Sequence, residues 1–121
     1  MTMAVPFKII QLDRPRKIKF TINALILAET LCGKPGGQIV MDLSQTNYET
    51  AAKCLFAGLK HEDKDLTFEK TKELIDEHID NMFNFVQIVS SAFSAANGIE
   101  IDINETLETT AVKAEETSPN I

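Results

Sequence analysis

The stretch Ala51–Asp76, AAKCLFAGLKHEDKDLTFEKTKELID, constrains the fold more than any other part of the chain, because it reads as helix, acidic turn, helix. Tyr48, Ala51, Ala52, Leu55 and Leu59 fall at i, i+3, i+4, i+7 and i+11, one face of a 3.6-residue period. His61-Glu62-Asp63-Lys64-Asp65 then replaces that pattern with polar residues, as a surface turn does. Thr67 can cap the next helix by accepting a free first-turn N–H, and Glu69 puts negative charge where the helix dipole favours it. Phe68, Ile75 and Ile79 recur on one face with the stem of Lys72. Two helices joined by so short a turn should lie antiparallel and share their apolar faces.

Upstream, Val5–Leu12 and Arg16–Phe20 read as two strands of a hairpin spanning residues 5–20, with Asp13-Arg14-Pro15 supplying turn chemistry. Phe7, Ile9 and, after a slip at Ile10, Leu12 alternate with polar residues; Ile18 and Phe20 alternate with Lys17 and Lys19. Arg14, Arg16, Lys17 and Lys19 are expected to form a basic patch. Such a patch is either a solvated edge that resists aggregation or a docking surface for an acidic partner. Thr21 or Asn23 can cap a helix that runs to Cys32 and stops at Gly33. Ile22, Leu25, Ile26, Leu27, Leu31 and the alanines surround it, and a helix apolar all round belongs in the core. Glu29 then fits only at a rim or bonded to nearby backbone, since an unpaired buried carboxylate is expensive. Pro35-Gly36-Gly37 breaks the chain, and GKPGG lacks the spacing of a phosphate loop. Gln38–Leu43 is a short apolar piece that periodicity does not type. Ser44 or Thr46 precedes the helix already described.

After Ile79 the apolar period runs on through Asn81–Ala96 to Gly98 as a stop; either Asp80 or Asn81 caps a separate last helix, or one helix bends there. Met82, Phe85, Val86, Val89, Phe93 and Ala96 make one stripe, with Phe83 and Ile88 on its opposite flanks. So apolar a helix in a small protein either makes a wider contact within the chain or keeps part of its surface for a partner, with Phe83, Ile88 and Phe93 as the contact residues in the second case. Ile99, Ile101 and Ile103 alternate with polar residues, and 99–121 reads as a flexible acidic tail. The expected class is therefore α+β, mainly α. A hairpin leads into a bundle of about four helices, near 21–33, 46–61, 67–80 and 81–97, in one globular unit of residues 1–98.

Charge is polarised along the chain. Residues 1–60 hold eight Lys/Arg against four Asp/Glu, a net of +4; residues 61–121 hold four against fourteen, a net of −10. A chain that is acidic overall, at −6, argues against nucleic acid as a partner and for protein partners. No apolar run approaches the ~20 residues of a membrane span, and the N-terminus lacks the succession of a secretory signal. Cys32 and Cys54, each in an apolar setting, read as buried reduced thiols of a cytoplasmic protein. His61, Asp63, Asp76 and His78 carry ligand atoms for a metal-dependent enzyme, but their spacing matches no metal motif and reads as a solvated acidic surface. No nucleophile is spaced to pair with a base, so neither an enzyme nor a cofactor is expected.

Ala57-Gly58-Leu59, His61-Glu62-Asp63 and Leu66-Thr67, preceded by KFTINALILAETLCGK at Lys19–Lys34 with its Asn23-Ala24-Leu25 and Glu29, resemble the tail assembly chaperones of long-tailed phages and prophages. That family is related to a small gene-transfer-agent tail protein. The resemblance covers roughly Phe7–Gly98. It implies a protein that binds the tape measure protein in the host cytoplasm, keeps it soluble and helps recruit major tail tube protein subunits during virion morphogenesis. The family is absent from the mature virion and is often accompanied by a frameshifted, extended form of itself. This chain departs from it in a last helix richer in Phe and Met, preceded by a break without the usual glycines. The alternative is a structural tail tube or tail-completion component retained in the particle.

Overall fold

Residues of opposite rungs in an antiparallel pair share one face of the ribbon, so register decides what the N-terminal hairpin buries. The computed structural model describes residues 7–98. In it β1 (Phe7–Gln11) pairs antiparallel with β2 (Pro15–Lys19), with Ile9 opposite Lys17 and Ile10 opposite Arg16. Ile10 and Ile18 look inward and Phe20 continues their parity beyond the strand; all three are buried. Burial of each stabilises the fold by roughly 1.5–3 kcal/mol. Phe7 and Ile9 instead share the outer face with Lys17 and Lys19, which reverses the expected parity of the first strand. Val5, Pro6 and the tail 99–121 lie outside the described residues.

Five helices follow, rather than about four: α1 (Ile22–Cys32), α2 (Gly36–Ser44), α3 (Tyr48–Leu59), α4 (Phe68–His78) and α5 (Met82–Ala96). The additional one, α2, contains the apolar piece that periodicity left untyped. Its first residues, Gly36-Gly37, carry no capping side chain, and Glu29 of α1 supplies one by accepting the Gly36 N–H at 2.7 Å. Ile39 and Leu43, one turn apart, are both buried in α2, which packs against α5. Thr21, Asn47, Thr67 and Asn81 cap α1, α3, α4 and α5 by accepting the N–H three residues on. The α3 cap is thus Asn47, the residue directly before Tyr48. Thr46 takes a left-handed φ of 60° in the turn just before it. Gly33 ends α1 at φ 67°, and extended Ile79 separates α4 from α5.

The core helix is α3, not α1. It packs against β2 and against each of the other helices, and from Cys54 to Leu59 every residue is buried. In α1 only Ala24 and Ala28 are buried, while Ile22 and Ile26 remain 68% and 54% exposed. A helix apolar all round has no pattern to choose its inner face, and here the small side chains, one turn apart, take the contact. α4 lays Phe68 and Ile75 inward as their spacing requires, with the Phe68 ring 6.0 Å from Phe56 of α3.

Candidate functional site

The acidic turn between α3 and α4 grips the hairpin. His61 Nε2 lies 2.9 Å from the Lys17 carbonyl oxygen; because a carbonyl only accepts, that nitrogen carries the hydrogen. Glu62 Oε1 accepts the Lys17 N–H at 3.3 Å. Arg16 shares the inward parity of Ile18 and is only 4% exposed, so it does not belong to a surface patch. Its guanidinium donates to both Asp13 oxygens, at 2.8 and 3.0 Å, and to Asp63 at 3.5 Å. Lys60 closes the turn by donating to the carbonyls of Lys64 and Leu66.

The fork from Arg16, set against the smaller opposing effect of burial, holds the Asp13 carboxyl at about 2, below its ordinary 3.8. A carboxylate with a lowered pKa contributes stability that is fully present above its unfolded value and is lost as pH falls through the folded one. Wild-type chain should therefore lose thermal stability between about pH 4 and pH 2. Arg16→Met should flatten that part of the curve. An unchanged acid limb in the variant would show that the ion pair contributes nothing to acid sensitivity.

The expected contact residues divide. Arg14 and Lys17 are exposed and Lys19 is half-buried, so three of the four basic residues retain some exposure without Arg16. Phe83 is 51% exposed, off the buried stripe. Ile88 is half-buried against the core. Phe93 is 1% exposed and packs edge-to-face with Phe20, the ring centres 5.0 Å apart. It is a core residue, and its place in the Phe85–Val89–Phe93 stripe is the reason.

Two further surfaces emerge from the fold. On the outer hairpin face Phe7 and Ile9 stand among Lys17 and Lys19, with the Lys17 ammonium 4.9 Å from the centre of the Phe7 ring. Between α3, α4 and α5, Tyr48, Ala52, Ile75, Met82 and Phe85 line a groove of about 320 Å³, with Lys72 and Asp76 supplying its charges. Tyr48 is exposed, and Phe83 follows Met82 on α5. Strand parity would have found the hairpin face. The groove joins residues from three helices and has no local signature.

His61 and Asp63 are engaged by β2, whereas Asp76 and His78 sit in the last turns of α4, a helix of 11 residues and therefore about 16 Å long. Among the described residues no three His, Cys, Asp or Glu side chains are grouped to hold a metal ion. Among them, too, no helix is long and apolar enough to cross a membrane. Comparison with protein-family models, with curated proteins and with solved structures finds no match to this chain.

Proposed function

We propose that the chain is a phage or prophage tail assembly chaperone. In this reading it is a binding protein and not an enzyme. It holds apolar segments of the tape measure protein in the host cytoplasm, keeps them soluble and helps bring tail tube subunits to them. The observation that carries the reading is the groove at the start of α5, where Met82 and Phe85 line an apolar cleft and the adjacent Phe83 is left uncovered. A groove of this kind accepts the apolar side chains of a partner helix. The resemblance of Ala57–Thr67 to the chaperone family supports the same reading, and the net charge of −6 favours a soluble complex.

Co-expression with a candidate tape measure protein tests it. The soluble fraction of that protein should rise several-fold with this chain present, and Phe83→Asp should abolish most of the gain. Because a surface substitution changes stability by about 0.5 kcal/mol or less, the variant's thermal midpoint should stay within about 4 °C of wild type. A tape measure protein that is no more soluble in the presence of the chain rejects the proposal. Stoichiometric chain in purified particles would point instead to a tail component.

A further inference from the structure

Beyond α5 the chain continues Ile99-Glu100-Ile101-Asp102-Ile103, isoleucine and acid in strict alternation. In an extended strand that period puts the three isoleucines on one face and Glu100 and Asp102 on the other. β1 opens with the complementary pattern, Phe7-Lys8-Ile9. Phe7 and Ile9 stand on the outer face of the ribbon, 47% and 51% exposed, and Lys8 has the inner parity of Ile10. Lys8 is half-buried, and among the described residues no carboxylate pairs with it.

The backbone of β1 is turned to receive such a strand. Antiparallel neighbours alternate between pairs that exchange both backbone hydrogen bonds and pairs that exchange none. The Lys17 amide and carbonyl turn to Glu62 and His61, away from β1, so Lys17 and its opposite residue Ile9 are a pair of the second kind. The Ile9 N–H and carbonyl therefore point away from β2 as well, off the open side of β1. Phe7 and Gln11, each two residues from Ile9, point theirs the same way. The end of α5 lies close to where this side begins. Phe93 packs on Phe20, the residue after Lys19, and Lys19 is the partner of Phe7. From there the chain leaves the helix through Asn97 and through Gly98, whose left-handed φ of 85° turns it aside.

We propose that Ile99–Ile103 docks on β1 of its own chain as a third strand, parallel to β1 from the Phe7 end, with its isoleucines beside Phe7 and Ile9 and its acids beside Lys8. The Ile9 N–H then donates to a carbonyl of the segment, and the Ile9 carbonyl accepts one of its N–H groups. Apolar pairs on one face and opposite charges on the other both favour the match. A slip of one residue would set isoleucine against lysine and acid against phenylalanine, so the face is specified. A ribbon of two strands is marginal, and the third adds hydrogen bonds and contacts that it lacks. The segment is tethered a few residues from its site, at an effective concentration on the order of millimolar, which favours it over a second copy of the chain.

Amide hydrogen exchange of the full-length chain, read residue by residue by NMR at a high and a low protein concentration, is the test. The Ile9 amide should exchange at least about tenfold more slowly than an open amide, and equally so at both concentrations. Ile101→Asp should return it to the open rate, whereas Ile101→Val should keep it protected. The double variant Glu100→Lys, Asp102→Lys should lose the protection, and adding Lys8→Glu should restore it. The amide of Leu55, in the middle of α3, should be unchanged throughout. An Ile9 amide that is open in the wild-type chain, or that stays protected in Ile101→Asp, would overturn the proposal. Protection that fades on dilution as a dimer dissociates would assign the site to a second copy and overturn docking within the chain. No rescue by Lys8→Glu would overturn the placement of the acids. A matching loss at Leu55 would overturn a strand docked on a body that folds without it.

Discussion

Phe93→Ala should cost about 3–5 kcal/mol of stability, the largest single loss expected from any residue of α5. Phe93 is almost wholly enclosed and presents its face or edge to Phe20 at an interplanar angle of 82°, joining the last turns of α5 to the exit of β2. Truncation removes the transfer energy of a buried ring and leaves a cavity beside Phe20 that the surrounding core fills only in part. Urea unfolding measures it. A double-mutant cycle with Phe20→Ala should reveal a coupling of about 0.5–1.5 kcal/mol for the edge-to-face pair. A loss below about 1 kcal/mol would mean that the site collapses freely or that the ring is not enclosed. The contrast with Phe83→Asp separates the two roles on one helix, because the first variant should fall in stability and the second only in binding.

The second large effect should come from a single added methyl. Gly58 lies where α3 crosses the hairpin, and a Cβ there would sit 2.7 Å from Cγ2 of Ile18 and 3.2 and 3.4 Å from ring carbons of Phe20. In an open helix interior alanine is better than glycine by about 1 kcal/mol. Here overpacking against buried, branched neighbours typically costs about 1–3 kcal/mol, and this contact lies at the severe end. The clash wins. Gly58→Ala should destabilise by roughly 2 kcal/mol net, lowering the thermal midpoint by about 10 °C. In an Ile18→Ala background the same change should cost well under 1 kcal/mol, because the opposing methyl is gone. Equal costs in the two backgrounds would place the strain elsewhere.

Those two residues also mark how far the chain could be read without coordinates. The helices α3 and α4 follow from period, polar turn and cap, with Thr67 in the capping position its side chain suits, whereas the period alone left a bend as an alternative to the break that Ile79 and the Asn81 cap make before α5. Glu29 meets its expectation by bonding the Gly36 backbone. That same bond explains why α2 was not legible, since its N-terminal partner comes from another helix and Gly-Gly by itself signals a break. Phe93 shares the period of Phe85 and Val89, and that period, stronger than the overall apolarity of the helix, places it in the core and not on a partner surface. Arg16 is the same lesson in a strand: it carries a charge but has the parity of Ile18, and Asp13 and Asp63 make its burial tolerable. The groove that Met82 and Phe85 line depends on tertiary contact and leaves no local trace.

The grip of the acidic turn on Lys17 has a consequence for self-association. A two-stranded ribbon has two free margins, each able to recruit a further strand. Along β2 the Lys17 amide and carbonyl are already taken by Glu62 and His61, and Pro15, of the same parity, has no N–H to offer. That margin is blunted from within the chain. Growth of the ribbon by strand addition is thereby directed to the β1 side, which makes any such assembly one-sided and denies it a repeating, open-ended form.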